Sequence, residues 1–334
     1  MDGSAAIIEK AGQLAGQLLF PAALDVDASD RVPAGHLDAL AAAGFYGLPG
    51  PPGHGGMGAD LALTCTVIEI LAGGCLATTF VWLQHHSAVR AAAAAPAGST
   101  AAAWLEPLCR GERRAGVALA GALPGPPLLA ARRTAGGYVL DGTAPWVTGW
   151  GMIDTLYAAA RDEQDNVVAV LLPVTESPAL TAEPLRMVAV TASSTVQLRF
   201  GGLFVPADRV TSVAPHREWL DRDQARLRPN GSLALGVAAR CCSMIGPSPL
   251  DGDLAASRDA LDTAPPPAMP AARAGASEFA MRAAAALVAV QGSRAILAGQ
   301  HAQRLAREAL FLLVFASRPA IKENLSRRLT AARP

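Results

Sequence analysis

YVLDGTAPWVTGWGMID, the stretch from Tyr138 to Asp154, determines how the middle of this chain is expected to fold. Residues 138–140 (YVL) have side chains that favour β-strands. The dipeptide Asp141-Gly142 is typical of a turn with positive φ, and residues 144–148 form a second extended run. The stretch therefore predicts a β-hairpin with its turn at Asp141-Gly142.

The predicted return strand ends in an aromatic residue, a hydroxyl residue and two glycines, namely Trp146, Thr148, Gly149 and Gly151. A flat indole, a hydroxyl group and backbone without side chains would suit the face of a planar heterocyclic ligand. The alternative is a tryptophan buried in the core of an ordinary β-sandwich, which is the more common situation for this residue type. The stretch by itself leaves both interpretations open.

The composition indicates a folded globular protein without a nucleic-acid or membrane partner. The chain has 334 residues, 51% of them hydrophobic and 17% charged, which is enough for two or three packed units. Its formal net charge is zero, so it presents no basic surface for nucleic acid or anionic lipid. No apolar run reaches membrane-spanning length, and the N-terminus lacks the pattern of a signal peptide.

The five cysteines are odd in number and show neither CxxC nor Cys/His metal-ligand spacing. Free thiols of this kind are typical of a reducing compartment, so we expect a cytoplasmic protein without a metal site.

The pattern along the chain predicts three consecutive parts. Residues 1–114 contain helical runs with apolar residues at helical spacing. Residues 115–214 contain short β-compatible runs between turn signals, which is typical of a small antiparallel sandwich or barrel. Residues 215–334 are helical again. We therefore expect an α+β fold with an N-terminal α-helical domain, a middle β domain and a C-terminal α-helical bundle.

Four local strings resemble the acyl-CoA dehydrogenase family, in the same order and over nearly the whole chain. They are GGMG at 55–58 before a helix bearing Glu69, WVTG at 146–149, SST at 193–195 followed by FGGLFVP at 200–206, and REA at 307–309. Each string alone is a weak signal, and their common order supports an acyl-CoA dehydrogenase-like fold.

The resemblance implies an enzyme that holds FAD between the β domain and the C-terminal bundle. Members of the family remove a proton from the α-carbon of an acyl-CoA thioester and transfer a hydride from the β-carbon to the flavin. A carboxylate acts as the base, and the flavin carries out the redox step. The resemblance also implies a homo- or hetero-oligomer, a dimer or tetramer, and an electron-transfer acceptor.

The resemblance also implies that five residues contact the cofactor. Trp146 and Thr148 match the flavin-contact motif, and Val117 and Leu119 fall on the strand that contacts the ring. Gly292 falls in the turn that approaches the FAD of a neighbouring subunit.

The departures from the family pattern affect both the position of the catalytic base and the residues expected to hold the cofactor. Ala316 in the FASR string at 315–318 occupies the usual position of the base, and alanine cannot accept a proton. The alternative base position, near Arg226, has no acid. The string AGALPGP at 120–126 replaces the family's acid- and hydroxyl-bearing loop, and the arginine segment that grips the FAD pyrophosphate has no counterpart after Met244.

Several other polar residues have expected roles in the structure or in the site. Glu323 is the nearby acid that could reach a pocket, whereas Glu69 is expected to be a satisfied structural acid. One histidine of His85-His86 is expected to be structural, and the other is a candidate for lining the cavity. Further expectations are a subunit-interface role for Arg307-Glu308, an anionic partner for Arg318, and capping or solvated roles for Asp221 and Asp223.

The sequence therefore supports an FAD-dependent acyl-CoA dehydrogenase-like oxidoreductase as the first hypothesis. The missing base leaves two alternatives. The chain could be a catalytically silent subunit of a hetero-oligomeric acyl-CoA dehydrogenase, or a flavin monooxygenase or oxidase on the same scaffold.

Overall fold

The computed structural model describes residues 3–223 and 227–331, in which helices precede and follow a central sheet along the chain. The predicted site of an alternative base near Arg226 lies in part outside the described residues. The α-helices before the sheet are α1 (Gly3–Leu14), α2 (Ala23–Asp27), α3 (Ala34–Ala42), α4 (Leu61–Gly74), α5 (Leu76–Ala93), α6 (Thr100–Ala103) and α7 (Leu105–Arg110). The helix predicted at the N-terminus is interrupted, because α1 continues into a π-helical turn, Ala15–Leu19.

The central sheet has the strand order β6-β7-β3-β2-β4-β5-β8, with β1 paired to β4 outside this path. The strands are β1 (Ala115–Ala118), β2 (Leu129–Thr134), β3 (Gly137–Val147), β4 (Thr155–Arg161), β5 (Asn166–Pro173), β6 (Leu180–Pro184), β7 (Val196–Pro206) and β8 (Val210–Pro215). The expectation of a wholly antiparallel sheet is corrected, because β1 and β2 both pair with β4 in parallel.

The predicted hairpin turn at Asp141-Gly142 is wrong, because β3 continues straight through this dipeptide. The register between β3 and β7 shifts there, and Gly202 of β7 is the extra residue, with φ 71°. Its amide donates to the Asp141 carboxylate at 2.6 Å. A Cβ on Gly142 would collide with the carbonyl oxygen of Leu128. The Asp-Gly signal therefore marks a β-bulge rather than a turn.

The actual hairpin joins β2 to β3. Thr134 pairs with Gly137, so the two residues between them form the turn, and Gly136 adopts φ 79°. Glycine tolerates this left-handed conformation in tight hairpin turns.

The helices after the sheet are α8 (His216–Asp223), α9 (Leu227–Ile245), α10 (Leu250–Thr263), α11 (Met269–Gln291), α12 (His301–Val314) and α13 (Pro319–Thr330). One buried hydrophobic core includes side chains of α1, α4 and α5 together with side chains of α9, α11 and α12. Glycine is required where α4 crosses α9, because a Cβ on Gly236 would collide with the carbonyl oxygen of Glu69. Because the helices before and after the sheet share this core, the division into domains at residues 114 and 214 stays a prediction.

Both adjacent histidines of α5 are buried and structural, so the expectation that one lines a cavity is corrected. His85 accepts the amide of Ala115 at Nδ1 and donates from Nε2 to the carbonyl oxygen of Leu108, each at 3.0 Å. His86 donates from Nε2 to the carbonyl oxygen of Phe45 at 3.1 Å. The two imidazoles tie α5 to α7, to the start of β1 and to the loop after α3.

We expect acid to destabilise the fold through these histidines. Burial lowers the pKa of His85 from 6.5 to about 3 and lowers the pKa of His86 well below 6.5. The contribution of these histidines to stability is complete above pH 6.5, where both imidazoles are neutral in the folded and in the unfolded chain. As the pH falls towards 3, the unfolded chain binds protons that the folded chain excludes, at a cost of about 1.4 kcal/mol per pH unit for each histidine.

This expectation is checked by urea unfolding at several pH values between 7.5 and 4.5. The His85→Gln variant keeps a donor for Leu108, and its free energy of unfolding is expected to depend on pH by about one proton less than that of the wild type. Equal pH dependence in the two proteins would contradict this assignment.

Candidate functional site

The end of β3 turns the indole of Trp146 out of the sheet. Between Ala144 and Val147 the register with β7 shifts, so that Pro145 and Trp146 lie opposite one residue of the partner strand. At this bulge Trp146 adopts φ 65°, and its residue is 64% exposed. A large side chain in the left-handed region costs about 1–3 kcal/mol, and such strain often occurs at functional sites. The alternative of a core tryptophan is therefore excluded by its position.

Thr148, two residues later, is buried in a chain of hydroxyl groups. Its Oγ1 lies 3.3 Å from Oγ1 of Thr195, which lies 2.8 Å from Oγ of Ser193. Three hydroxyl groups have three protons to donate, and the two contacts use two of them. One hydroxyl donor therefore remains available to a further group.

Backbone hydrogen bonds hold the WVTG string against the SST string, although Gly149 and Ser193 are 44 positions apart. The amide of Gly149 donates to the carbonyl oxygen of Ser193 at 2.8 Å, and the amide of Trp150 donates to that of Ser194 at 3.1 Å. Ser194 and Val190 both adopt positive φ, so this segment forms a compact turn beside the end of β3.

Strand β1 runs directly beside this strand end. A Cβ on Gly116 would lie 2.8 Å from the carbonyl oxygen of Thr148, so the two backbones are in close contact. Val117 and Leu119 are half-buried and pack on the side of the sheet that faces α5. The structure thus brings four of the five predicted cofactor contacts to neighbouring segments.

Helix α5 connects the strand end with the C-terminal end of α12. A Cβ on Gly149 would lie 3.4 Å from Cγ1 of Val81. The ring of the preceding residue, Phe80, lies 5.1 Å from the ring of Phe311 and 5.0 Å from that of Phe315. The walls of the candidate site are therefore the end of β3, one turn of α5 and the end of α12.

The loop that carries Ala316 is fixed by a buried arginine of α11. Arg273 donates to the carbonyl oxygens of Leu312 at 3.5 Å and Phe315 at 3.4 Å, and to Ser277. It thereby satisfies carbonyl groups that the end of α12 leaves unpaired. Burial lowers the pKa of Arg273 to about 10. Beyond this cap, Ala316 adopts φ 51°.

The remaining polar candidates of this region are paired with one another. Nε of Arg318 lies 2.7 Å from Oδ2 of Asp223, and Nη2 lies 3.2 Å from Oδ1. Arg318 therefore has an anionic partner within its own chain, and Asp223 is an ion-pair partner rather than a cap or solvated acid. Glu323 is 71% exposed at its side chain and is bridged to Arg327. A role of Glu323 as a base stays a prediction.

Arg307 and Glu308 do not act as one unit, which corrects the expectation for this string. Arg307 is paired with Asp27 of α2 and donates to the carbonyl oxygen of Val188 at 3.1 Å. Glu308 is buried and accepts from Nη1 of Arg304 at 2.6 Å. As expected for a satisfied structural acid, Glu69 is paired with Arg258.

Gly292 lies apart from the other predicted contacts, at the end of α11. It has φ 67°, and a Cβ there would meet no atom within 4 Å. Exposed apolar residues lie next to this turn in the chain, and two others lie on α12. We call this set the α11–α12 apolar surface; it consists of Val290, Ile296, Leu297, Leu310 and Val314.

Sequence reasoning missed the aromatic cluster and the buried arginine at this site. Phe311 and Phe315 are spaced by four residues, which places both on one face of a helix and was the available signal. Arg273 stands alone in an alanine-rich run, and only the fold reveals which carbonyl groups it contacts.

Within residues 3–223 and 227–331, no group of three or more histidine, cysteine, aspartate or glutamate side chains could hold a metal ion. In the same part of the chain, no helix is long and apolar enough to cross a bilayer.

Comparison with solved structures confirms the acyl-CoA dehydrogenase-like fold, in which helices precede and follow a central sheet along the chain. Butyryl-CoA dehydrogenase from Megasphaera elsdenii superposes with a TM-score of 0.84 at 17% identity, over 99% of each chain. A glutaryl-CoA dehydrogenase from Mycobacterium smegmatis, in complex with FADH2, superposes with a TM-score of 0.83 at 18% identity, over 100% of this chain and 96% of the other.

Sequence comparison agrees with the fold. Residues 2–112 match the acyl-CoA dehydrogenase N-terminal domain family. Benzylmalonyl-CoA dehydrogenase of Aromatoleum aromaticum (strain DSM 19018 / LMG 30748 / EbN1) is 26% identical over 246 residues, which cover 71% of this chain and 65% of that protein. The match of the N-terminal part and the shared fold both indicate the acyl-CoA dehydrogenase family, as the local strings predicted.

Proposed function

We propose that the protein is an FAD-dependent oxidoreductase of the acyl-CoA dehydrogenase type that acts on an acyl thioester. The observation that carries this proposal is the exposed indole of Trp146, held in a strained bulge beside the hydroxyl of Thr148. The match of residues 2–112 to the acyl-CoA dehydrogenase N-terminal domain and the FADH2 complex of a structural neighbour support it.

The residues present fit a flavin ring better than they fit the rest of FAD. Trp146 supplies an aromatic surface, Thr148 belongs to a hydroxyl chain with a spare donor, and Val117 and Leu119 supply an apolar wall. Ala120 offers no side-chain hydrogen bond where the family has a hydroxyl. When bound, FAD would accept a hydride from the substrate.

The chain's own residues have a positioning task in this proposal. The strand end and α5 would hold the flavin edge and the acyl group together and exclude water from the apolar side. Such positioning, with an apolar wall on one side, contributes to rate by fixing the reacting atoms. Ala316 neither accepts nor donates a proton.

A second candidate is a catalytically silent subunit of a hetero-oligomer. Two observations favour it: Ala316 stands at the position of the base, and the cluster of Phe80, Phe311 and Phe315 occupies space beside it. The α11–α12 apolar surface supports association with another subunit, because exposed apolar patches often mark protein interfaces. Gly292 lies beside Val290 of this surface, which supports the proposal that its turn approaches a neighbouring subunit.

We also propose a cytoplasmic protein that forms an oligomer and passes electrons to an acceptor. Free, buried cysteines support a cytoplasmic location. An electron-transfer acceptor would reoxidise the flavin, and a dimer or tetramer, homo- or hetero-oligomeric, is the proposed assembly.

Anaerobic addition of acyl-CoA thioesters to the flavin-loaded protein tests the two candidates. The enzyme is expected to lose flavin absorbance with at least one thioester when it is present alone. If bleaching occurs only after co-expression with a family member that retains a glutamate base, the silent-subunit candidate is supported instead. Oxygen consumption with reduced flavin and no desaturated thioester would indicate a monooxygenase or oxidase.

A further inference from the structure

We propose that Arg31, in the loop between α2 and α3, is a phosphate-binding residue that holds the pyrophosphate of a nucleotide ligand. This inference rests on the proposed function, because FAD and an acyl-CoA are the ligands that would bring a pyrophosphate to the site. It assigns a cation of this chain to a ligand group for which the arginine segment expected after Met244 has no counterpart.

The first argument is that backbone hydrogen bonds place Arg31 beside the turn that carries the hydroxyl chain. Three consecutive carbonyl oxygens of this turn accept backbone amides. The carbonyl oxygen of Ala192 accepts the amide of Val32 at 2.9 Å, and the next two accept the amides of the two residues that follow Thr148. The turn also supplies Ser193 to the hydroxyl chain. The loop of Arg31 and the end of β3 are therefore attached to adjacent positions of one turn.

The second argument is that the guanidinium of Arg31 lies against the backbone of Gly151. A Cβ on Gly151 would lie 3.3 Å from Nη2, 3.6 Å from Cζ and 3.7 Å from Nη1 of Arg31. Because these distances are similar, the guanidinium faces the backbone with its plane and not with one edge. Its N–H groups point outward within that plane and stay available to another group. Gly151 also has φ 76°, which favours glycine over any larger residue at this contact.

The third argument is that Arg31 is a cation without an anionic partner. Its residue is exposed, and among the described residues no carboxylate forms an ion pair with it. Asp27 and Asp38, on either side of it in the chain, are each paired with another arginine. A guanidinium with available N–H groups suits a phosphate, to which it can donate two parallel hydrogen bonds.

One ligand would use the three features that this end of β3 presents. FAD carries both an aromatic ring and a pyrophosphate, so it would contact the exposed indole of Trp146, the spare hydroxyl donor and the guanidinium of Arg31. An acyl-CoA carries a pyrophosphate as well, and the experiment therefore measures both ligands.

The test compares the wild type with Arg31→Gln by measuring the affinity of the flavin-free protein for FAD, and that for CoA at saturating FAD. The variant is expected to bind one of these ligands about tenfold more weakly or worse, because it loses charge-assisted hydrogen bonds to phosphate. A loss confined to FAD assigns the contact to FAD, and a loss confined to CoA assigns it to CoA; either supports the inference.

Three other results of this comparison would count against the inference. Unchanged affinities for both ligands would overturn it and leave the proposed function intact. Equal losses for both would indicate a general effect on the site and would also overturn it. Wild-type protein that binds no FAD would instead overturn the proposed function, and the inference with it.

Arg133→Gln is the matched control, because it removes the same charge from an exposed arginine of the sheet. Arg133 pairs with Tyr138, eight residues before Trp146 along β3. This variant should bind both ligands as the wild type does. The effect of Arg31→Gln should also shrink in about 1 M salt, where the Debye length is about 3 Å. An effect that is independent of salt, or that appears equally in Arg133→Gln, would contradict a phosphate contact at Arg31.

Discussion

Replacing Glu308 with leucine is expected to lower the free energy of unfolding by about 3–5 kcal/mol, because it leaves a buried guanidinium without its counter-charge. Arg304 is only 1% exposed at its side chain, and its Nη1 lies 2.6 Å from Oε1 of Glu308. Its other nearby partner is Nδ1 of His301, at 3.3 Å from Nε. Removing the carboxylate would leave a charge that water cannot reach.

Two variants distinguish the buried charge from a general effect of substitution. Replacing both partners, with Arg304→Met and Glu308→Leu together, should restore most of the lost stability, because no charge is then left unpaired. Glu323→Leu is the matched control: it breaks a pair at the same four-residue spacing that is exposed on α13. Its effect should stay below about 1 kcal/mol. Chemical unfolding of the four proteins gives the comparison, and similar losses for Glu308→Leu and Glu323→Leu would contradict the assignment.

Replacing Trp146 with alanine is expected to reduce flavin affinity at least tenfold while leaving the fold intact. The indole is exposed, so its removal opens no cavity in the core. It would remove the aromatic surface proposed for the flavin, and a loss of about 1.4 kcal/mol corresponds to tenfold in affinity. Flavin content of the purified variant, with its thermal unfolding temperature, measures both parts of this prediction.

Phe204→Ala is the control for exposed aromatic residues of the same sheet. Phe204 is 50% exposed and pairs with Val139, seven residues before Trp146 along β3. This variant should bind flavin as the wild type does. If Trp146→Ala retains full flavin content, the indole does not contact the cofactor, and the bulge requires another explanation.

The arrangement of helices and strands was predictable because its signals are local. Apolar spacing indicated helices before residue 115 and after residue 215, and the WVTG string indicated the strand end where Trp146 and Thr148 meet the second motif. The Asp141-Gly142 dipeptide led to the wrong prediction of a turn, because the backbone freedom of such a dipeptide suits a β-bulge as well as a tight turn. What decides between them is the partner strand, where Gly202 supplies the extra residue.

Contacts between distant residues were the part that sequence reasoning could not reach. Arg318 and Asp223 are 95 residues apart, and nothing in either neighbourhood indicates the pair. The parallel pairing of β1 with β4 and the capping of α12 by Arg273 depend likewise on the packed fold. Burial determined the role of both histidines: His85 has a backbone partner at each ring nitrogen, and His86 is buried with its Nε2 donating to the carbonyl oxygen of Phe45.

The visible absorbance spectrum of the purified protein, after incubation with FAD and removal of the free cofactor, tests the central claim most directly. An indole and a spare hydroxyl donor at the end of β3 that hold a flavin should give flavin absorbance bands with one cofactor for each chain. Colourless protein that retains no FAD, although folded, would contradict that claim.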